Sequence, residues 1–84
     1  MISFVMPAKN TSLYIREAID GIVKSNYKDL ELIIVDDHSS DDTFYISKNE
    51  EKKDSRIKVV KNAGAGKVEA LNYGYSLTRG EIIK

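Results

Sequence analysis

The run Leu30-Glu31-Leu32-Ile33-Ile34-Val35, passing without a break into Asp36-Asp37-His38-Ser39-Ser40-Asp41, constrains this chain more than any other stretch. A short, almost wholly apolar run reads as a strand covered on both faces, the condition of a strand inside a parallel sheet. Parallel neighbours need long crossovers, usually helices laid over the sheet. The run stops abruptly at carboxylates and hydroxyls. In open α/β sheets the ligand crevice lies beyond the carboxyl ends of the strands. The acidic pair therefore falls where such folds do their chemistry.

The rest of the chain alternates the same two periods. Residues 2–6 form an apolar run closed by Pro7, a strand ending at Met6 or Pro7. Asn10, Thr11 and Ser12 offer side-chain caps to a following helix. Ile15, Ala18, Ile19, Ile22 and Val23 then recur at helical spacing, and Ser25-Asn26 ends that helix, with Asn26 able to take the left-handed conformation. Ser39-x-x-Asp42 resembles a capping box opening a second helix near Asp41. That helix holds Phe44 and Ile46, but residues 47–55 contain no large apolar side chain, which predicts a solvated, partly frayed end. Residues 57–60 read as a third strand, and residues 62–66 as a flexible loop. Val68, Leu71, Tyr75 and Thr78 mark a third helix with one buried stripe; Gly80 closes it, and residues 81–84 begin a fourth strand.

This succession is the signature of βαβ units around a parallel sheet, an α/β, Rossmann-like three-layer arrangement. A strand order 3-2-1-4 reverses the chain's direction between strands 1 and 4. The reversal opens a crevice beside Pro7-Ala8-Lys9-Asn10 and Asp36-Asp37. Composition sets the outer bounds. A chain of 84 residues is at most one small domain, and reads as less than one. Thirteen basic residues balance 13 acidic ones, which argues against nucleic acid or an anionic membrane as main partner. The absence of cysteine excludes disulfide and thiol chemistry. No apolar run approaches the roughly 20 residues that span a bilayer, and residues 1–6 lack a basic leader. A cytoplasmic location is the expectation.

Taken together, Pro7-Ala8-Lys9-Asn10, Tyr14-Ile15-Arg16-Glu17-Ala18-Ile19, residues 32–43, Ala70-Leu71-Asn72-Tyr73-Gly74 and Gly80-Glu81-Ile82-Ile83 resemble family 2 glycosyltransferases over essentially the whole chain. The resemblance implies the GT-A fold and transfer of a sugar from a nucleotide donor, often a UDP-sugar, to an acceptor hydroxyl. It also implies a divalent metal, Mn or Mg, on the donor diphosphate. In the family that metal is held by an Asp-x-Asp motif just after the strand matched by residues 81–83, so its ligands are expected beyond Lys84, with none in this chain. The catalytic base and acceptor segment lie further on. Residues 1–84 thus look like the nucleotide-binding portion of a longer enzyme, inactive alone. That enzyme is expected in the cytoplasm, with membrane association open to it. Self-association through the exposed edge of strand 4 is a further expectation.

The resemblance assigns roles residue by residue. Asp37 matches the carboxylate that accepts the N3–H of uracil, a task suited to an ionised, acceptor-only group. Pro7 and Ala8 match the backbone segment that flanks the nucleoside. Lys9 departs from the pattern, where Tyr is common, and can offer only its methylene stem to a base. Lys67 matches a basic nucleotide-contacting position. His38 departs as well, since Gly usually follows the second Asp; a lone loop histidine reads as solvated, without partner ligands for a metal. Asp36 reads as a pin for the strand-end loop. Consecutive extended residues face opposite sides, so Asp36 and Asp37 do not share an ion.

Gly64-Ala65-Gly66-Lys67 fails the phosphate-loop pattern, with Lys61 where Gly is needed and Val68 in place of Ser or Thr. It fails the dinucleotide fingerprint at Glu69. What remains is a Gly-rich turn feeding a helix N-terminus, a modest anion site. Asn72 and Gly74 read as packing features. Two other classes stay open. The acidic pair after a strand also fits a receiver-like phosphoacceptor domain, although residues 57–60 and 81–84 end without the Asp that such a domain needs. The third reading is a non-catalytic interaction module from a shortened transferase gene.

Overall fold

A computed structural model describes residues 1–82, so Ile83 and Lys84 of the expected fourth strand lie outside the described residues. Strands β1 (Ile2–Ala8), β2 (Leu30–Asp36), β3 (Ile57–Lys61) and β4 (Glu81–Ile82) alternate with helices α1 (Ile15–Val23), α2 (Thr43–Lys53) and α3 (Lys67–Ser76). The strands form one sheet in the order β3-β2-β1-β4, all pairs parallel. This is the expected 3-2-1-4 order. Ile2 to Ala8 stand opposite Leu30 to Asp36 in register, which brings the tips of β1 and β2 side by side.

β1 runs through Pro7 to Ala8, past the expected end. Ile2 N donates to Asp29 O and Ala8 O accepts from Asp37 N, so alternate residues from Ile2 to Ala8 bond toward β2. Pro7 has the opposite parity. Its missing N–H falls on the β4 side, where the described part of β4 pairs only with Ile2 and Ser3. The proline therefore removes no bond between β1 and β2.

The two faces of the sheet are packed differently. On one, α1 and α2 cover Leu30, Leu32, Ile34, Ile57 and Val59, and Ile15 and Ile19 supply the buried stripe of α1. Ala18, expected in that stripe, is exposed. On the other face α3 covers Ile33 and Val35 through Ala70, with Tyr73 and Leu77 beside it. The expected stripe of α3 was rotated: Val68 is 71% exposed, while Ala70 and Gly74 are buried. The reason is close approach. A Cβ on Gly74 would stand 2.3 Å from Val5 Cγ1 and 3.1 Å from Val35 Cγ2. Small side chains make this interface, so large-residue periodicity pointed elsewhere.

Helix α2 also departs from expectation. It stays helical to Lys53, and Thr43, Ser47 and Glu50 are its buried residues. Ser47 Oγ donates to Thr43 O at 2.8 Å, satisfying its hydroxyl inside the helix. Glu51 Oε2 accepts Val59 N at 2.7 Å, so a side chain of α2 also caps the outer edge of β3. α1 ends without Asn26 entering the left-handed region, which among non-glycine residues only Asn10 and His38 occupy in the described chain.

Candidate functional site

The carboxyl ends of β1, β2 and β3 meet the N-terminal end of α3. Asp37 follows β2 on the α3 face and Asp36 ends β2 on the opposite face, so they cannot share an ion. Asp36 is buried, and its Oδ2 accepts Ser39 N at 3.2 Å. It pins the strand-end loop, while its Oδ1 is buried without a hydrogen-bond partner among the described residues.

Asp37 is held differently. Its Oδ1 accepts Asn62 Nδ2 at 3.0 Å, and Gly66 N lies 3.2 Å from both carboxylate oxygens. The Asn62 side-chain amide, then the Gly66 amide and the charges of Lys9 and His38, hold its carboxyl below the usual range against the opposing effect of burial. Asp37 is thus ionised at neutral pH, a negative charge fixed in direction. Oδ1 carries both neighbours' donors; Oδ2 shares only one and keeps acceptor capacity.

Asn62 was missed by sequence reasoning, which left residues 62–66 as a flexible loop. The loop is closely tied. Asn62 Nδ2 also reaches Gly66 O at 3.3 Å, Asn62 Oδ1 accepts Gly64 N at 3.1 Å, and Glu69 Oε2 accepts Ala65 N at 2.8 Å. The register of the sheet makes the pair: with Lys61 of β3 opposite Asp36 of β2, the next residues, Asn62 and Asp37, are neighbours, and the sequence alone carries no signal for that register. Gly66 has φ +92°, a conformation that favours glycine, and leads into Lys67 at the start of α3.

The expected helix caps play a different part. Neither α1 nor α2 has a side-chain bond at its N-cap, so Ser39-x-x-Asp42 is not a capping box. Asn10, Thr11 and Ser12 instead present backbone amides to Ser39 Oγ, Thr43 Oγ1 and Asp41 Oδ2 at 3.0, 2.8 and 3.2 Å. Asn10 Oδ1 returns the bond by accepting Ser40 N at 2.8 Å. These bonds stitch the loops after β1 and β2 together on the α1/α2 side. The hydroxyl and amide of Thr43, with the amide of Ser12, hold Asp41 down at about 2. His38, expected to be solvated, is exposed, but its Nε2 lies 2.7 Å from Gly64 O.

A cleft of about 440 Å³ opens on the α3 side, lined by Pro7, Ala8, Lys9, Asp37, Gly66 and Lys67. The structure therefore brings together Pro7, Ala8, Lys9, Asp37 and Lys67, the five positions matched to nucleotide binding, and adds Gly66, while Asp36 and His38 lie outside the lining. Its lining combines the Pro7-Ala8 end of β1, one carboxylate, Asp37, and two lysines, Lys9 and Lys67. Such a site suits a flat ring with an N–H, joined to an anionic group. Among the described residues no cluster of three His, Asp or Glu side chains could hold a metal ion.

A family model described as glycosyl transferase family 2 matches residues 3–83. The chain belongs to glycosyltransferase family 2. Among family relatives, glycosyltransferase GlyG of Streptococcus pneumoniae is 38% identical over 99% of this chain and 28% of its own length. A Campylobacter jejuni enzyme named GalNAc(5)-diNAcBac-PP-undecaprenol beta-1,3-glucosyltransferase is 41% identical over 73% of this chain and 20% of its own. The chain thus spans about a quarter of the length of such family members. In solved structures, the mannosyltransferase PcManGT of Pyrobaculum calidifontis, in complex with GDP-Man and Mn2+, superposes with a TM-score of 0.87 at 25% identity, covering 96% of this chain and 25% of that one. S. aureus TarS in complex with UDP-GlcNAc gives 0.85 at 25% identity, over 98% and 25%. Family membership sets aside the receiver-like reading. Among the described residues no helix is long and apolar enough to cross a membrane.

Proposed function

We propose that the cleft binds the nucleotide of a UDP-sugar donor, and that residues 1–84 are the donor-binding portion of a longer glycosyltransferase. The observation that carries this reading is the convergence of Pro7, Ala8, Lys9, Asp37, Gly66 and Lys67 on one cleft at the switch point of a parallel sheet. The free capacity of Asp37 Oδ2 takes the N3–H of uracil, while the Pro7-Ala8 backbone and the stem of Lys9 flank the ring. The Gly66 turn and Lys67 open α3 toward the diphosphate, where the amide end of a helix favours negative charge.

The occupied Oδ1 favours uracil over guanine. Uracil presents one N–H between two carbonyls. Guanine presents an adjacent N1–H and N2–H pair, which calls for two free carboxylate oxygens. Sugar transfer also requires stabilisation of the departing diphosphate and a base for the acceptor proton. Asp36 and Asp37 face opposite sides and do not make a metal site, so the Mn or Mg of the family, the base and the acceptor-binding groups are assigned to residues outside this chain. An amide-shift titration with UDP tests the reading. Shifts are expected at Ala8, Asp37, Gly66 and Lys67, with weaker shifts for GDP. No response at those amides defeats the nucleotide assignment; equal affinity for GDP defeats only the choice of base.

A further inference from the structure

His38 stands outside the cleft's lining, yet it reaches the loop that forms one wall. Its backbone has φ +57°, a region in which a residue with a Cβ is strained and glycine is not. The side chain leaves this strained position to cross between two loops, and Nε2 comes within 2.7 Å of the carbonyl of Gly64. A carbonyl only accepts, so the Nε2 that faces it carries the proton of this bond. Gly64 belongs to the tied loop. Its amide is held by Asn62 Oδ1, and two residues on Gly66 N is bound to Asp37. Asn62 braces the loop from within, and Glu69 braces it from α3. His38 is the brace from the β2 side, next in sequence to Asp37 itself.

We propose that His38 is a positioning residue, a strut that holds residues 64–67 against the tip of β2 so that the Gly66 amide and Lys67 keep their places in the cleft. The proposal rests on the reading of the cleft as a nucleotide site for its functional consequence, but the strut itself is a property of the unliganded protein. It explains what a histidine accomplishes at a position whose backbone favours glycine: strain at one residue is exchanged for order in the opposing loop.

Three substitutions separate the strut from the backbone strain. His38→Gly relieves the strain and removes the donor. His38→Ala keeps the strain and removes the donor. His38→Gln keeps both, because its Nε2 stands the same number of bonds from Cβ as the imidazole Nε2. Amide hydrogen exchange at Ala65 and Gly66, measured without nucleotide, is expected to quicken in the Gly and Ala variants and stay at the wild-type rate in Gln. The imidazole 15N shifts of the wild-type protein are expected to show a protonated Nε2. UDP affinity is expected to fall about two- to tenfold in Gly and Ala, the range of one hydrogen bond, and to be restored in Gln. Wild-type exchange rates in both Gly and Ala overturn the strut, as does an effect in Gly that Ala does not share. A wild-type protein that does not respond to UDP defeats the nucleotide reading alone, since the exchange pattern still decides the strut.

Discussion

The two sides of this sheet use one set of strands for opposite ends. On the α1/α2 side the core is made of large aliphatic residues, Ile19, Leu32 and Ile34 among them, all fully buried. Above that core the loops after β1 and β2 are sewn shut by bonds from Asn10, Thr11 and Ser12 to Ser39, Asp41 and Thr43. On the α3 side Ile33 and Val35 are buried under a helix whose closest approach is made by Ala70 and Gly74, with Tyr73 and Leu77 beside them, and above it the cleft stays open. Asp36 and Asp37 mark the divide. Adjacent and chemically identical, one pins a loop and the other faces a cavity, because an extended backbone sends successive side chains to opposite faces. Both faces bury large aliphatic residues, but only the α3 face meets its helix through small residues, which lets that helix approach closely.

The comparison can be broken most severely at the aliphatic face. Ile34→Ala is expected to destabilise the fold by about 2–5 kcal/mol, the range for deleting a large buried side chain, read from denaturant midpoints. Gly74→Ala attacks the other face by the opposite means. The added methyl meets Val5 and Val35, and overpacking of this kind costs about 1–3 kcal/mol. If Gly74→Ala proves neutral, the close approach of α3 is not what selects glycine.

The aspartates give a sharper contrast. Asp37→Asn is expected to weaken UDP binding on the order of tenfold or more, as for loss of a hydrogen bond to a charged group, in a calorimetric titration. Asp36→Asn is expected to leave binding within about twofold while lowering the denaturation midpoint. Equal losses of affinity in the two variants would erase the distinction between the faces.

The smallest expected effect is the response to acid. Asp37 and Asp41 are both held below the ordinary range by bonds to their ionised forms, from Asn62 and from Thr43 respectively. A lowered folded-state pKa adds stability that is complete above the unfolded value near about 4 and is lost as pH falls through the folded one. For Asp41 that window runs from about 4 down to about 2. Thermal midpoints measured across it should decline in the wild type and decline less in Asp41→Asn. Substituting Asp37 should flatten the curve by a smaller amount, since its shift is the weaker.

Much of this was legible in the chain itself. The resemblance to family 2 glycosyltransferases singled out Pro7, Ala8, Lys9, Asp37 and Lys67. The apolar runs ending in Met6-Pro7 and Val35-Asp36, with the helical periods between them, determined βαβ units around a parallel sheet and put the acidic pair at its carboxyl end. These follow from local pattern and from rules of connection that act over short distances. What only the tertiary structure decided are contacts between segments far apart in sequence: Asn62 on Asp37, His38 on Gly64, Thr43 and Asp41 on the amides after β1, and Gly74 against Val5. Polar side chains carry no periodicity that names their partners, and a glycine's purpose is visible only once the neighbour it admits has arrived.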